Sequence, residues 1–207
     1  MENRPIIFST PMVQAILDGR KTQTRRVIKP QPLRSPYWTH YENSGAFYPA
    51  TYDAEPSFLR CPYGKPGDRL WVRETFCVFN YDDEEVWYKA SPVASACWHD
   101  ATLKNNGMRW KPSIHMPKKY ARIWLEITGV RVERLKDLSP KDGIAEGVEH
   151  WSIFPSLWDS INKKKHPWES NPWVWVIEFK RLTPNDAKAP ASAIVGSGQS
   201  LEQLDIF

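Results

Sequence analysis

The apolar residues of this chain fall in short runs cut by Pro, Gly and polar clusters, a pattern that restricts it to short strands and short helices. Ile6-Ile7-Phe8 reads as a buried strand. Thr10 then serves as N-cap with Pro11 at the first helical position, where the missing N–H costs nothing. Val13, Ile16 and Leu17 give that helix one apolar face, and Gly19 supplies the left-handed residue that stops it. Thr22 to Ile28 follows as a strand, ended by Pro30 and Pro32.

Further along, residues 31–66 lack periodicity and read as a long irregular insertion, as do residues 91–118. The turn signal Lys65-Pro66-Gly67-Asp68 leads into a strand over Arg69 to Phe76, with a shorter one at Val86 to Lys89. Ile123, Leu125 and Ile127 alternate with polar or aromatic neighbours, so Ala121 to Ile127 is a half-buried strand. Gly129 permits a bend or bulge before Val130 to Leu135. A second helix opens on Ser139-Pro140, runs toward Glu146 and stops at Gly147; a third spans Ser156 to Lys163 with Leu157, Trp158 and Ile161 on one side. Trp173 to Leu182 is the last strand. The expectation is an α+β fold: one domain over residues 1–182 built as a small barrel with flanking short helices, then a flexible Ala/Pro/Ser/Gly linker at 183–199 and a tail at 200–207.

No run approaches the ~20 apolar residues of a membrane span, and Met1-Glu2-Asn3-Arg4-Pro5 has no secretory h-region, so a cytoplasmic protein without a membrane part is expected. Cys61, Cys77 and Cys97 show no CxxC spacing and the five His no ligand spacing, which argues for buried or free thiols and for neither a disulfide framework nor a metal site; no cofactor is expected. Net charge is +4, but Lys188 against Asp186, Glu202 and Asp205 leaves the tail at −2 and the body at +6, a mild excess suited to phosphate-bearing partners. Eleven Trp interleaved with Arg and Lys suit base stacking beside a phosphate chain, although Trp124 and Trp175 sit where core packing is expected.

The segment Gly19-x-Lys21-x-x-Thr24-x-Arg26 places an amine, a hydroxyl and a guanidinium on one turn and the strand after it. A hydroxyl beside an amine is a candidate nucleophile and base, with Arg20, Arg25 and Arg26 as cations able to lower the lysine's proton affinity. Arg26 is a candidate for a phosphate or carbonyl oxygen. Strand parity sets Thr22, Thr24 and Arg26 on one face and Gln23 and Arg25 on the other. The bland alternatives are phosphate contact for Lys21 and Arg26, local bonding for Thr24 and a cap or salt bridge for Glu146.

This segment resembles the signature of ASCH domains, relatives of the PUA fold. Pro66-Gly67-Asp68-Arg69-Leu70-Trp71-Val72-Arg73-Glu74, Leu138 to Gly147, and Trp175-Val176-Ile177-Glu178-Phe179-Lys180 are similar to that family in the same order. In overall character the chain resembles larger ASCH proteins carried by phages and prophages. The resemblance implies a PUA-like barrel directed at nucleic acid or a nucleobase, in some members an amidohydrolase of N4-acetylcytidine and in others a ribonuclease. It implies that Thr24 attacks an amide carbonyl, that Lys21 assists as base and that Glu146 manages protons at the leaving amine. Arg20, Arg26, Trp71 and Arg73 are candidate substrate or phosphate contacts. Core packing is the alternative for Trp71, and a buried ion pair is the alternative for Arg73 or Glu74, of which only one faces the pocket. The competing expectation is a nucleic-acid binder without catalysis.

The terminal Gln203-Leu204-Asp205-Ile206-Phe207 resembles the bacterial sliding-clamp binding peptide, a Gln and two apolar anchors on an extended segment. It makes the DNA polymerase sliding clamp a candidate partner; a sticky tail or an intramolecular latch is the alternative.

Overall fold

The computed structural model describes residues 2–32, 38–41, 46–49, 59–80, 84–91, 108–183 and 186. The fold is mixed α/β. Its centre is a five-stranded sheet of β1 (Asn3–Ile7), β2 (Gln23–Val27), β6 (Arg69–Arg73), β9 (Trp124–Arg134) and β10 (Trp173–Arg181), in the order β1-β6-β9-β10-β2. Among its described strand pairs, only β1–β6 is parallel. Strands β3 (Trp38–Tyr41), β4 (Ala46–Pro49) and β5 (Leu59–Arg60) form a second small sheet, and β7 (Phe76–Asn80) pairs with β8 (Glu84–Tyr88). Among the described residues the α-helices are α1 (Thr10–Leu17), α2 (Pro140–Ala145) and α3 (Phe154–Asn162). No described helix is long and apolar enough to cross a membrane.

Period-2 alternation explains how β10, held between β9 and β2, is buried on both faces. Trp173, Trp175, Ile177 and Phe179 turn to the main core with Ile6, Phe8, Val13, Ile16, Leu70, Val72 and Leu125. Val174 and Val176 turn the other way, onto Leu135, Phe154 and Trp158 beneath α3. Both faces of the sheet are therefore covered, and a strand buried on both faces reads as a continuous apolar run. Cys61 and Cys77 are buried free thiols, and burial pushes Cys61 up to about 11.

Several expectations from sequence need correction. Ser9, not Thr10, is the N-cap of α1, and no side chain bonds the cap; Pro11 still occupies the first turn. Residues 31–66 hold three short strands where irregular chain was expected; strands of two to four residues are too short to show a period. The strand expected over Arg69 to Phe76 breaks after Arg73, and at the break the Glu74 carboxylate is buried against Arg122 in a bidentate pair at 2.9 Å on each arm. Helix α3 starts at Phe154, with Pro155 in its first turn. In the described residues β1 and β2 remain the two edges of the main sheet. The bulge expected near Gly129 is present: Glu178 pairs with Gly129 and Phe179 with Ile127, leaving Thr128 as the extra residue.

Candidate active site

Helix α1 ends at Gly19, whose φ of +74° is open to glycine without strain, and the chain turns to bring Lys21 beside the end of α2. There Lys21 and Glu146 form an isolated antiparallel bridge, with Thr22 N donating to Ala145 O at 2.9 Å. Ser139 fixes the start of α2: it accepts from Asp142 N, and Asp142 returns the bond to the Ser139 backbone. Glu146 is the C-cap of α2, and Gly147 follows at φ +90°. A Cβ on Gly147 would stand 2.9 Å from Lys21 Cβ and 3.0 Å from Ala15 Cβ, so only glycine lets these two segments meet.

The result is a buried ion pair. Lys21 Nζ donates to Glu146 Oε2 at 2.9 Å, to Glu146 O at 2.6 Å and to Gln23 O at 2.8 Å, with the two side chains 2% and 4% exposed. Burial is the largest influence on Lys21 and holds it below its ordinary value; Glu146 opposes this, while Arg26 and Arg25 push the same way as burial. The other Glu146 oxygen, Oε1, accepts from Arg25 Nη1 at 3.3 Å. Arg25 in turn lies 3.0 Å from Glu133 and 3.5 Å from Asp142, and Arg131 ties Glu133, Asp142 and Glu178 together. Burial raises Asp142, but bonds from Ser139 and the charge of Arg25 bring it below its ordinary value.

This pair forms the floor of a cavity of about 460 Å³ that wraps edge strand β2. Its volume fits a small organic ligand. Thr24 and Arg26 contribute from one face of β2, and Arg25 and Val27 from the other. Phe8, Met12 and Tyr63 make one wall; Phe154, Leu157 and Trp158 of α3 make another. The Arg26 guanidinium lies 5.2 Å from the Phe8 ring centroid and 6.0 Å from that of Tyr63, and it donates to Ile7 O at 2.6 Å. Thr24 is buried, at 4% exposure, and lines the cavity.

The bonds Ile28 N to Trp173 O and Phe179 N to Thr22 O set the phase of β2. Even-numbered residues turn their backbone groups toward β10, and Gln23, Arg25 and Val27 turn theirs outward. Gln23 O receives Lys21, whereas the Arg25 and Val27 groups face the cavity edge. An edge strand so placed offers a row of backbone donors and acceptors.

Of the residues expected from sequence, Lys21, Thr24, Glu146 and Arg26 come together here. Arg20, Trp71 and Arg73 lie outside the lining. Arg20 is exposed, bonded to Gly147 O and Asp18; Trp71 is half-buried with the Arg73 guanidinium 5.5 Å from its ring; Arg73 donates to Ile114 O, beside Ser113 at the cavity rim. Glu74 is the buried structural pair, with Arg122. Arg25 acts on Lys21 as the cation expected from sequence, but its place in the cavity lining was missed, because parity sets it opposite Thr24 and an edge strand with a cavity on both faces is invisible to parity. The apolar stripe of α3 was legible, but not its position over the site. The tail residues Gln203, Leu204, Asp205, Ile206 and Phe207 lie outside the described residues.

No family model matches the chain, and no curated protein matches it. Among solved structures it is similar to protein EF3133 from Enterococcus faecalis V583, described as a DUF984 protein, at 10% identity and a TM-score of 0.41 over 88% of this chain and 80% of that one.

Proposed function

We propose that the cavity at the edge of β2 receives a nucleobase and that the protein hydrolyses an amide on it, of the N4-acetylcytidine kind, as an ASCH-type enzyme. The observation that carries this reading is the buried Lys21–Glu146 pair lining the cavity together with Thr24. The aromatic and cationic walls suit a flat heterocycle, and the outward backbone groups of Arg25 and Val27 suit its polar edge. Closure of the sheet into a PUA-like barrel belongs to the same proposal, supported by the Arg26 bond to Ile7 O across the two edge strands.

In the proposed reaction the Thr24 oxygen attacks the amide carbonyl carbon, and neutral Lys21 takes the hydroxyl proton. The proton moves through Glu146 to the amine as the C–N bond breaks. Water then cleaves the acyl ester on Thr24, releasing the acid and restoring the hydroxyl. Burial and the two flanking guanidinium groups favour the neutral amine this requires. Arg26 is placed to hold a carbonyl or phosphate oxygen. Incubation with N4-acetylcytidine tests the reading: cytidine and acetate are released by the native protein, and release is lost in Thr24→Ala and Lys21→Met. Absence of release from the native protein contradicts it. RNA is the other hydrolysable substrate to be assayed beside it.

One observation favours a second reading. All three Lys21 donors are already taken by acceptors, an arrangement that suits the ammonium and a site that binds a base without cleaving it. Retained nucleoside binding without turnover would establish that version. The clamp-binding role of Gln203–Phe207 stands as a separate proposal: deletion of residues 200–207 abolishes capture by a bacterial sliding clamp, and retained capture refutes it.

A further inference from the structure

A second hollow, of about 390 Å³, is lined by Arg109, Trp110, Lys111, Pro112 and His115. It is joined to the first cavity by the chain itself, because Ser113, two residues past Lys111, lines the rim of the first. Two residues span at most about 7 Å, so the two hollows are neighbours on a nucleotide's scale. The segment is firmly held. Lys111 exchanges two backbone bonds with Phe76, at 2.7 and 3.2 Å; Ile114 O receives Arg73; and Met116 is buried at 1% exposure. Arg109, Lys111, His115 and Lys118 remain exposed along it. The sequence has no carboxylate between Asp100 and Glu126, so the charges the strip itself carries are all cationic.

We propose that this hollow is a second subsite, which takes the nucleotide next to the target base of a single strand. The Trp110 ring stacks that neighbouring base, and Arg109 and Lys111 hold its phosphates. The inference rests on the nucleobase reading of the first cavity and adds to it: the substrate is a base within a strand rather than a free nucleoside. A rigid, acid-free, aromatic-bearing strip leading to the rim of a base-sized cavity is what tracking a single strand requires. Arg73, outside the cavity lining, then acts by positioning the strip through its bond to Ile114 O rather than by touching the base.

The test is fluorescence anisotropy of the full chain with labelled single-stranded RNA and DNA oligonucleotides over a range of salt, alongside calorimetric binding of cytidine. Arg109→Ala with Lys111→Ala is expected to weaken oligonucleotide binding at least tenfold. It should lower the salt slope by about 1.4 for two lost phosphate contacts and leave cytidine binding unchanged. The pair Arg109→Lys with Lys111→Arg restores affinity, which separates charge from folding. Trp110→Ala weakens the oligonucleotide by about tenfold through lost stacking. Unchanged oligonucleotide affinity in the double alanine variant overturns the subsite while leaving the first cavity untouched. Failure of the native protein to bind cytidine instead overturns the nucleobase reading. Binding of anionic lipid vesicles in place of oligonucleotide, with the same dependence on Arg109 and Lys111, overturns the nucleic-acid assignment.

Discussion

Lys21 is held by three acceptors while two guanidinium groups and its own burial work against its charge, and its role follows from which influence prevails in the presence of substrate. If Lys21 is the base, turnover rises with pH along a limb whose apparent pKa lies below the ordinary lysine value of 10.5; a pH–rate profile reads this directly. Lys21→Met strips one partner from a buried carboxylate. It should cost about 3 kcal/mol in chemical denaturation, at the lower end of the range for a broken buried pair because Arg25 still holds Glu146. Thr24 behaves differently. Thr24→Ala should lower turnover by at least about 10³-fold with little change in stability, whereas Thr24→Ser retains activity. A residue with a purely structural role would not show that split.

Two elements carry the site, and each does so through a feature that is weak on its own. Strand β2 contributes because it is an edge: both its faces and its outer backbone border the cavity. Helix α2 is only six residues long and depends on its cap, so Ser139→Ala should cost about 1 kcal/mol and reduce turnover by letting Glu146 drift. Gly147→Ala should be more damaging, since it adds a Cβ at a positive φ into contact with Lys21 and Ala15. Thermal unfolding with turnover measured on the same preparations checks both. The order of helix, turn and strand through Arg26, the Ser139-Pro140 start and the Gly147 stop were legible in the sequence, because capping and turn chemistry are local. The meeting of Lys21 with Glu146 was legible only through family resemblance, because 125 residues separate them. The charge of Arg25 beside Lys21 was legible, but its place in the lining and the α3 wall were not, since parity says which face a side chain takes and nothing about what covers that face.

Across the whole molecule, Lys21, Glu146, Arg25, Glu133, Asp142, Arg131 and Glu178 form one charge chain, whose sheet members all lie on the face of Val174 and Val176. Its pH dependence has two opposite parts. Asp142 is held below its ordinary carboxylate value of 3.8, so its contribution is present above that value and is lost as pH falls through the folded-state value. Lys21 is held below 10.5, so between its folded value and 10.5 the unfolded chain binds the extra proton and stability rises with pH. Denaturation followed at acid and alkaline pH, with Asp142→Asn as the control for the first part, should show both. Entry of a nucleobase into the cavity at the edge of β2 underlies all of these roles. It is tested by a crystal structure of the protein soaked with N4-acetylcytidine or cytidine. The base is predicted between the Phe8–Arg26 wall and the α3 wall, with its polar edge on the backbone of Arg25 or Val27 and its exocyclic group toward Thr24 and Lys21. Nucleoside bound elsewhere on the protein, with the cavity left empty, would contradict the account.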